Sequence, residues 1–184
     1  SKIHVISPEI ILPSLECASK GNLDENRINL FYPATVYFYK NHKKILDALS
    51  LQKDGKFRLY LTCKETDIKI PRNVDVVFMG TIPFEQVLTM YYSVDALLFP
   101  SYIETYGLPL IEAASFGVPI LVSDLPYSRE VLNEYEGVIY INHENVKDWA
   151  LCIENLEKRK RYTPLTLSKK DSWQELFRII KLNI

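Results

Sequence analysis

The sequence predicts an α/β domain: a Rossmann-like parallel sheet with helices on both faces. Short apolar runs alternate about six times with longer amphipathic ones along the 184 residues, which is the pattern of strand and helix in turn. The run Ala96-Leu97-Leu98-Phe99 is apolar at every position, as a strand covered on both faces requires. Pro83, Pro109 and Gly117 stand at the joints between runs, where helix starts favour proline and helix ends favour glycine.

Taken in order, residues 28–32 read as the first full strand, followed by a loop that opens at Pro33. Ile45, Leu46 and Leu49 place a helix over 40–51. Strands follow at 57–63 and 74–79, the second stopped by Gly80. Val87, Leu88 and Tyr91 share a face of a helix over 83–92. After the strand 96–99 comes a helix over 107–116. A strand at 119–122, a short helix at 128–132 and a last strand at 138–141 complete the alternation. Terminal helices are expected at 145–156 and 172–182. Near the start, Ile3, Val5 and Ile6 read as a short strand, and Pro8, Pro13 and Ser14 as a loop. The expected organisation is one domain over 1–184: a lead-in at 1–24 from a preceding domain, a core at 25–156, and a loop with a final helix at 157–184. Ser1 stands where an initiator Met would, so the chain is expected to begin inside a longer protein.

Composition narrows the function classes. The chain is 47% hydrophobic and 24% charged with a net charge of −1, which lacks the basic excess of a nucleic-acid surface. Cys17, Cys63 and Cys152 are odd in number and have no CxxC spacing. They read as free thiols in a reducing compartment, which points to the cytoplasm. No apolar run approaches the roughly 18–20 residues of a membrane span. Lys158-Arg159-Lys160-Arg161 and Lys169-Lys170 form a basic cluster. It reads either as a solvated helix end or as a patch facing anionic lipid headgroups. The second reading places the protein peripherally on the inner face of the cytoplasmic membrane.

Ligands of open parallel sheets bind outside the carboxyl ends of the strands, so the loops after Tyr32, Met79 and Phe99 matter. The last of these holds Glu104, Thr105, Tyr106 and Gly107, then Leu108 and Pro109 at the start of a helix that carries Glu112. A helix N-terminus presents free N–H groups and partial positive charge, which suit a diphosphate. Carboxylates at 104 and 112 bracket that position and accept hydrogen bonds from polyols. A ligand that is anionic in its middle and hydroxyl-rich at both ends is a nucleotide sugar. Spacing alone also allows the two carboxylates to be ordinary helix-start charges.

Lys40 is expected in the first turn of its helix, an unfavourable place for a cation without an anion to meet. It reads as an exposed lysine or as a phosphate ligand. Thr81 and Ile82, after Gly80, offer an edge and a face to a flat base. His42 reads as a packing or capping residue, and His4 and His143 are isolated. No metal and no cofactor beyond the nucleotide-sugar substrate is expected.

These residues carry a family likeness. Phe78-Met79-Gly80, the run Tyr91 to Ser101, Glu104 to Ala113, and Gly117-Val118-Pro119 to Asp124 resemble the C-terminal domain of family 4 glycosyltransferases of GT-B fold. Glu104 and Glu112 match that family's Glu-x7-Glu motif. The resemblance implies one half of a two-domain enzyme, in which this half binds the nucleotide-diphosphate sugar. The missing N-terminal domain would supply most acceptor contacts. It implies a metal-independent hexosyl transfer with retention, from a UDP- or GDP-hexose, in polysaccharide or glycolipid synthesis, with a mannosyltransferase-like character. By the same resemblance Glu112 binds the ribose, Glu104 and the backbone of Thr105 to Leu108 face sugar and phosphates, and Lys40 binds the diphosphate. Asp171-Ser172-Trp173 resembles the start of the final helix. One departure stands out: Pro33-Ala34 replaces the family's Gly-Arg pair, a form shared by a subset with a Tyr-Pro…Lys-Asn-His pattern. Lys40 is then the only obvious cation for the diphosphate. An epimerase of the same fold and a non-catalytic nucleotide-binding module are the alternative readings. On the transferase reading, the fragment alone is expected to be inactive. Glu104→Gln is expected to leave bare nucleotide binding nearly unchanged.

Overall fold

The computed structural model describes residues 21, 23–53, 55–166 and 177–178. The chain divides into two units, and Pro13–Leu165 holds every element named below. The other unit, Ser1–Leu12 with Thr166–Ile184, contributes only Thr166, Phe177 and Arg178 to the described residues. The expected strand at Ile3 to Ile6 therefore lies outside them. So does the expected helix 172–182, apart from Phe177 and Arg178, which are helical.

Six strands form one sheet: β1 (Ile28–Tyr32), β2 (Phe57–Leu61), β3 (Val76–Phe78), β4 (Ala96–Phe99), β5 (Ile120–Ser123) and β6 (Val138–Ile141). Their order is β3-β2-β1-β4-β5-β6, and every pairing is parallel. Ile28 stands opposite Phe57 on one side of β1, and Leu30 opposite Ala96 on the other. The central strands β1, β4 and β5 are buried at every position, whereas the edge strands β3 and β6 are mostly half-buried. The predominance of apolar residues in these three, broken only by Asn29 and Ser123 apart from the Tyr32 hydroxyl, follows from cover on both faces.

The helices are α1 (His42–Ser50), α2 (Phe84–Ser93), α3 (Leu108–Ser115), α4 (Pro126–Val131) and α5 (Val146–Glu154). Helix α1 packs against α5, and α3 meets both α2 and α4. In α1 the buried residues His42, Ile45, Leu46, Ala48 and Leu49 fall on one helical stripe. Helix α5 starts where Asn145 accepts a hydrogen bond from the Lys147 N–H at 3.0 Å, a side-chain cap for an otherwise unpaired donor. Its Trp149 is fully buried.

Two expected boundaries move. Residues 157–165 belong with the core unit. The Tyr162 N–H donates to Gly117 O and the Leu165 N–H to Ala114 O, both at 2.9 Å. Gly117, just past α3, has φ +68°, and a Cβ there would stand 2.3 Å from the Tyr162 carbonyl oxygen. Both the left-handed backbone and the close approach demand glycine. The second change is at α1, which begins at His42 rather than Lys40. A separate 3-10 turn covers Phe38–Lys40, and Asn41 between the two has φ 53°. Asparagine is among the few side-chain-bearing residues that adopt this conformation readily.

Lys158 to Arg161 are committed within the chain, and Lys169-Lys170 lie outside the described residues. Lys158 donates to the Glu25 carbonyl, and Arg159 pairs with the Glu25 carboxylate at 3.2 Å. Lys160 pairs with Glu157 at 2.6 Å. Arg161 donates to the Tyr92 and Val94 carbonyls at 2.9 and 2.7 Å. These contacts favour the solvated-loop reading over a lipid-facing patch. No helix among the described residues is long and apolar enough to cross a membrane.

His42 carries a stability prediction. It is 3% exposed, its ring lies 4.7 Å from that of Tyr32, and neither nitrogen makes a hydrogen bond of good geometry. Burial lowers its pKa from 6.5 to about 4, and the nearby Ala34 backbone offsets only part of that shift. The folded state thus resists a proton that the unfolded chain accepts below pH 6.5. Stability is expected to fall as pH drops from 6.5 towards 4, by at most about 3 kcal/mol from this residue. Thermal unfolding across that range checks it. His42→Leu should flatten the pH dependence, and an unchanged slope in that variant would reject the assignment.

Candidate functional site at the carboxyl ends of β1 and β4

In a sheet of this order the connections leave β1 and β4 in opposite directions, opening a crevice between their carboxyl ends. The loops there are 33–41 and 100–107, and they carry Lys40 and Glu104. The Lys40 ammonium meets Glu104 Oε1 at 2.7 Å, with the side chains only 18% and 10% exposed. A pair so covered is not an ordinary surface salt bridge, because little water screens it. Lys40 lies ahead of α1, so the unfavourable dipole of a helix start does not act on it as the sequence implied.

The two loops are stitched together. The Tyr102 N–H donates to Tyr39 O at 2.7 Å, and Asn41 Nδ2 donates to Pro100 O at 3.3 Å. The Tyr32 hydroxyl donates to Lys40 O at 2.7 Å and lies 2.9 Å from Ser101 Oγ. A phenol has one proton, so in that second contact the serine hydroxyl is the donor.

Gly107 caps α3 with φ +75° and no side-chain hydrogen bond. Among the described residues no acceptor meets the N–H of Gly107 or Leu108. Pro109 in the first turn has no N–H to offer. This helix start therefore presents donors and positive potential towards the crevice. Thr105 and Leu108 are exposed and Tyr106 is half-buried. Exposed Phe38, Ile103 and Leu108 leave an apolar rim on the two loops.

Glu112, half-buried in the second turn of α3, accepts a hydrogen bond from the fully buried Tyr91 on α2 at 3.1 Å. Its other oxygen has no hydrogen bond among the described residues. Burial raises the Glu112 pKa above its ordinary 4.5, against the opposing hydrogen bond from Tyr91. Thr81 and Ile82 follow β3 at the same end of the sheet, but β3 is the edge strand, two places from β1. At nearly 5 Å per strand that is roughly 10 Å away. The structure thus joins Lys40 to Glu104, keeps Glu112 on the helix that starts beside them, and leaves Thr81 and Ile82 apart.

Sequence reasoning missed Tyr32, Asn41, Tyr91, Ser101 and Tyr127. Four of them lie within stretches that carry the family resemblance, but their roles rest on partners up to 69 residues away, as with Tyr32 and Ser101, and those contacts are not marked by any local pattern. A cavity of about 280 Å³ lies at the opposite, amino ends of the strands, beside Asn29, Ser93 and Asp95. It holds a structural carboxylate: Asp95, 3% exposed, accepts from the N–H groups of Asn29 and Arg159, both at 2.7 Å. Among the described residues no three of His, Cys, Asp and Glu converge as a metal ion would need. Cys63 and Cys152 are free.

The fold and its switch-point crevice define a Rossmann-like half of a GT-B glycosyltransferase fold. Residues 16–170 match the family of glycosyl transferases group 1, and the chain belongs to that family. It is 30% identical over 128 residues to the O-antigen chain mannosyltransferase RfbU of Salmonella typhimurium, spanning 64% of this chain and 36% of that protein. The chain thus spans about a third of that relative's length. Among solved structures it resembles the catalytic domain of cholesterol-alpha-glucosyltransferase from Helicobacter pylori, with TM-score 0.55 and 18% identity over 69% of this chain and 84% of that one. It also resembles Anabaena HepE in complex with UDP and glucose, with TM-score 0.55 and 15% identity over 71% of this chain and 40% of that one.

Proposed function

We propose that this domain binds the nucleotide-diphosphate sugar of a retaining hexosyltransferase, with the acceptor held by another domain of the full-length enzyme. The observation that carries the reading is the covered Lys40–Glu104 pair, 2.7 Å apart, set at the β1–β4 crevice beside the uncapped start of α3. As the glycosidic bond breaks, negative charge grows on the departing diphosphate and positive charge on the sugar. Lys40 and the N–H groups of Gly107 and Leu108 answer the first charge, and Glu104 answers the second. Glu112 takes the ribose hydroxyls on its free oxygen, while Thr81 and Ile82 lie outward, where a base would reach. The apolar rim of Phe38, Ile103 and Leu108 supports cover by an acceptor or its domain. The Salmonella relative's name supports polysaccharide synthesis and puts mannose first among the hexoses to test.

Thermal-shift screening of this chain against UDP, GDP and ADP, and their hexose conjugates, tests the reading. A ligand that binds only the folded state raises Tm by mass action. Stabilisation by one diphosphate series is expected, unchanged by EDTA. No shift with any of them would reject the donor site.

Glu112 allows a test in which stability and binding move in opposite directions. Its folded pKa is raised, so its ionisation costs stability at neutral pH. That cost disappears as pH falls below the unfolded value. Glu112→Gln is therefore expected to raise the Tm of the ligand-free domain while weakening nucleotide binding about 5- to 30-fold. As pH falls from neutral towards 4.5, wild-type nucleotide affinity should decline more steeply than the variant's, since protonation of the terminal phosphate weakens both alike. Calorimetry over pH and a melting curve decide it. A lowered Tm would make Glu112 a structural residue.

A further inference from the structure

Lys40 ends a single 3-10 turn and Glu104 sits in an irregular loop, yet a diphosphate site needs both held to within a fraction of an ångström. We propose that a three-residue brace, Tyr32–Ser101–Tyr127, positions this pair. The inference rests on the donor-site reading above and assigns residues that touch neither ligand nor reacting atoms.

Ser101 is the hub. It is 0% exposed and is held at two points. Its hydroxyl lies 2.9 Å from the Tyr32 hydroxyl, and its carbonyl accepts from the Tyr127 hydroxyl at 2.9 Å. Tyr32, the last residue of β1, donates a hydrogen bond to the carbonyl of Lys40 at 2.7 Å. One phenol therefore ties the backbone of Lys40 to Ser101, and the other ties Ser101 to α4. Glu104 follows Ser101 by three residues. Both rings are themselves fixed. That of Tyr32 lies 4.7 Å from His42 and 5.7 Å from Phe99, and that of Tyr127 lies 6.5 Å from Phe99. The Tyr127 ring also borders Gly107, where a Cβ would stand 3.8 Å from it. The brace thus reaches the start of α3 as well as the ion pair. Burial, with the Glu104 charge adding to it, raises the pKa of both phenols. They remain protonated donors throughout the working range.

Loss of the Tyr32 hydroxyl would leave the Lys40 carbonyl without that donor and the Ser101 hydroxyl without its partner, in a site with little water to replace them. Lys40 would then no longer be held against the diphosphate. A nucleoside does not reach Lys40, so it should not sense the change.

The test is calorimetry on this chain with UDP and uridine, GDP and guanosine, and ADP and adenosine, using the pair that the wild type binds. Tyr32→Phe keeps the ring and is expected to raise the Kd of the nucleoside diphosphate about 10-fold, with the nucleoside changed less than about 2-fold. In a Lys40→Ala background the same substitution should add nothing, because Tyr32 acts through Lys40. Tyr127→Phe, at a half-buried position, should show the same selectivity with a smaller ratio, and it serves if Tyr32→Phe does not fold. Equal losses for both ligands, additive losses with Lys40→Ala, or no change in either phenylalanine variant would overturn the brace alone. A wild-type chain that binds no nucleoside diphosphate would overturn the donor-site reading and the brace with it.

Discussion

Alanine in place of Lys40 is expected to raise the Kd of this chain for a nucleoside diphosphate about 10- to 150-fold, while the matching nucleoside changes by less than about 2-fold. The size follows from the setting. The side chain is 18% exposed, so its contact with a phosphate is screened far less than at an open surface. The substitution also strands Glu104, which is 10% exposed and otherwise paired with Lys40 at 2.7 Å. A carboxylate left without its cation repels the incoming diphosphate, so the loss exceeds that of one hydrogen bond. By the resemblance, Pro33-Ala34 occupies the place where the family carries an arginine, so that arginine is not there to compensate. Calorimetry with both ligands separates the cases. Equal losses for nucleoside and diphosphate would mean that Lys40 supports the fold rather than the phosphates.

Three strands were legible to the residue, two at the covered centre of the sheet and one at its edge, while the covered β5 lies one residue later than read. Residues 28–32, 96–99 and 138–141 carry the expected bounds unchanged, because an apolar run between turn residues has only one compact use in such an alternation. The edge strand β3 was read too long, at 74–79 against the observed Val76–Phe78. Its pairing with β2 runs only from Val76 opposite Leu59 to Phe78 opposite Leu61, and that register, not the length of its apolar run, sets its ends. Lys40 was assigned to α1 because Ile45, Leu46 and Leu49 project a helical stripe back through it. The stop came from Asn41, whose left-handed backbone at φ 53° breaks the helix in a way that the stripe cannot reveal. The candidate ligands Glu104 and Glu112 were visible through their spacing and flanking glycine and prolines. Their protein partners were not. Tyr91 reaches Glu112 from 21 positions away, and Lys40 reaches Glu104 from 64. Such contacts are products of sheet order, which brings β1 beside β4, and they leave no periodic trace in the chain.

The Lys40–Glu104 contact also revises what Glu104→Gln should do. On the transferase reading of the sequence the substitution was expected to leave bare nucleotide binding nearly unchanged. With Glu104 holding Lys40 at 2.7 Å, the carboxylate competes with the diphosphate for that ammonium and repels the phosphates directly. Removing its charge is therefore expected to tighten binding of the bare nucleoside diphosphate, about 3- to 10-fold at moderate salt. Glutamine keeps an oxygen for Lys40, so the lysine stays in place. The effect on turnover should have the opposite sign. Positive charge on the sugar exists only near the transition state, and a neutral amide stabilises it poorly. The kcat of the full-length enzyme should fall by about 100-fold or more, with no rise in the KM for the donor. Calorimetry on this chain and steady-state kinetics on the full-length enzyme give the two halves. Weaker nucleotide binding together with lower kcat would make Glu104 a ligand of the nucleotide itself. No change in either would reduce Glu104 and Lys40 to a covered ion pair that merely closes two loops.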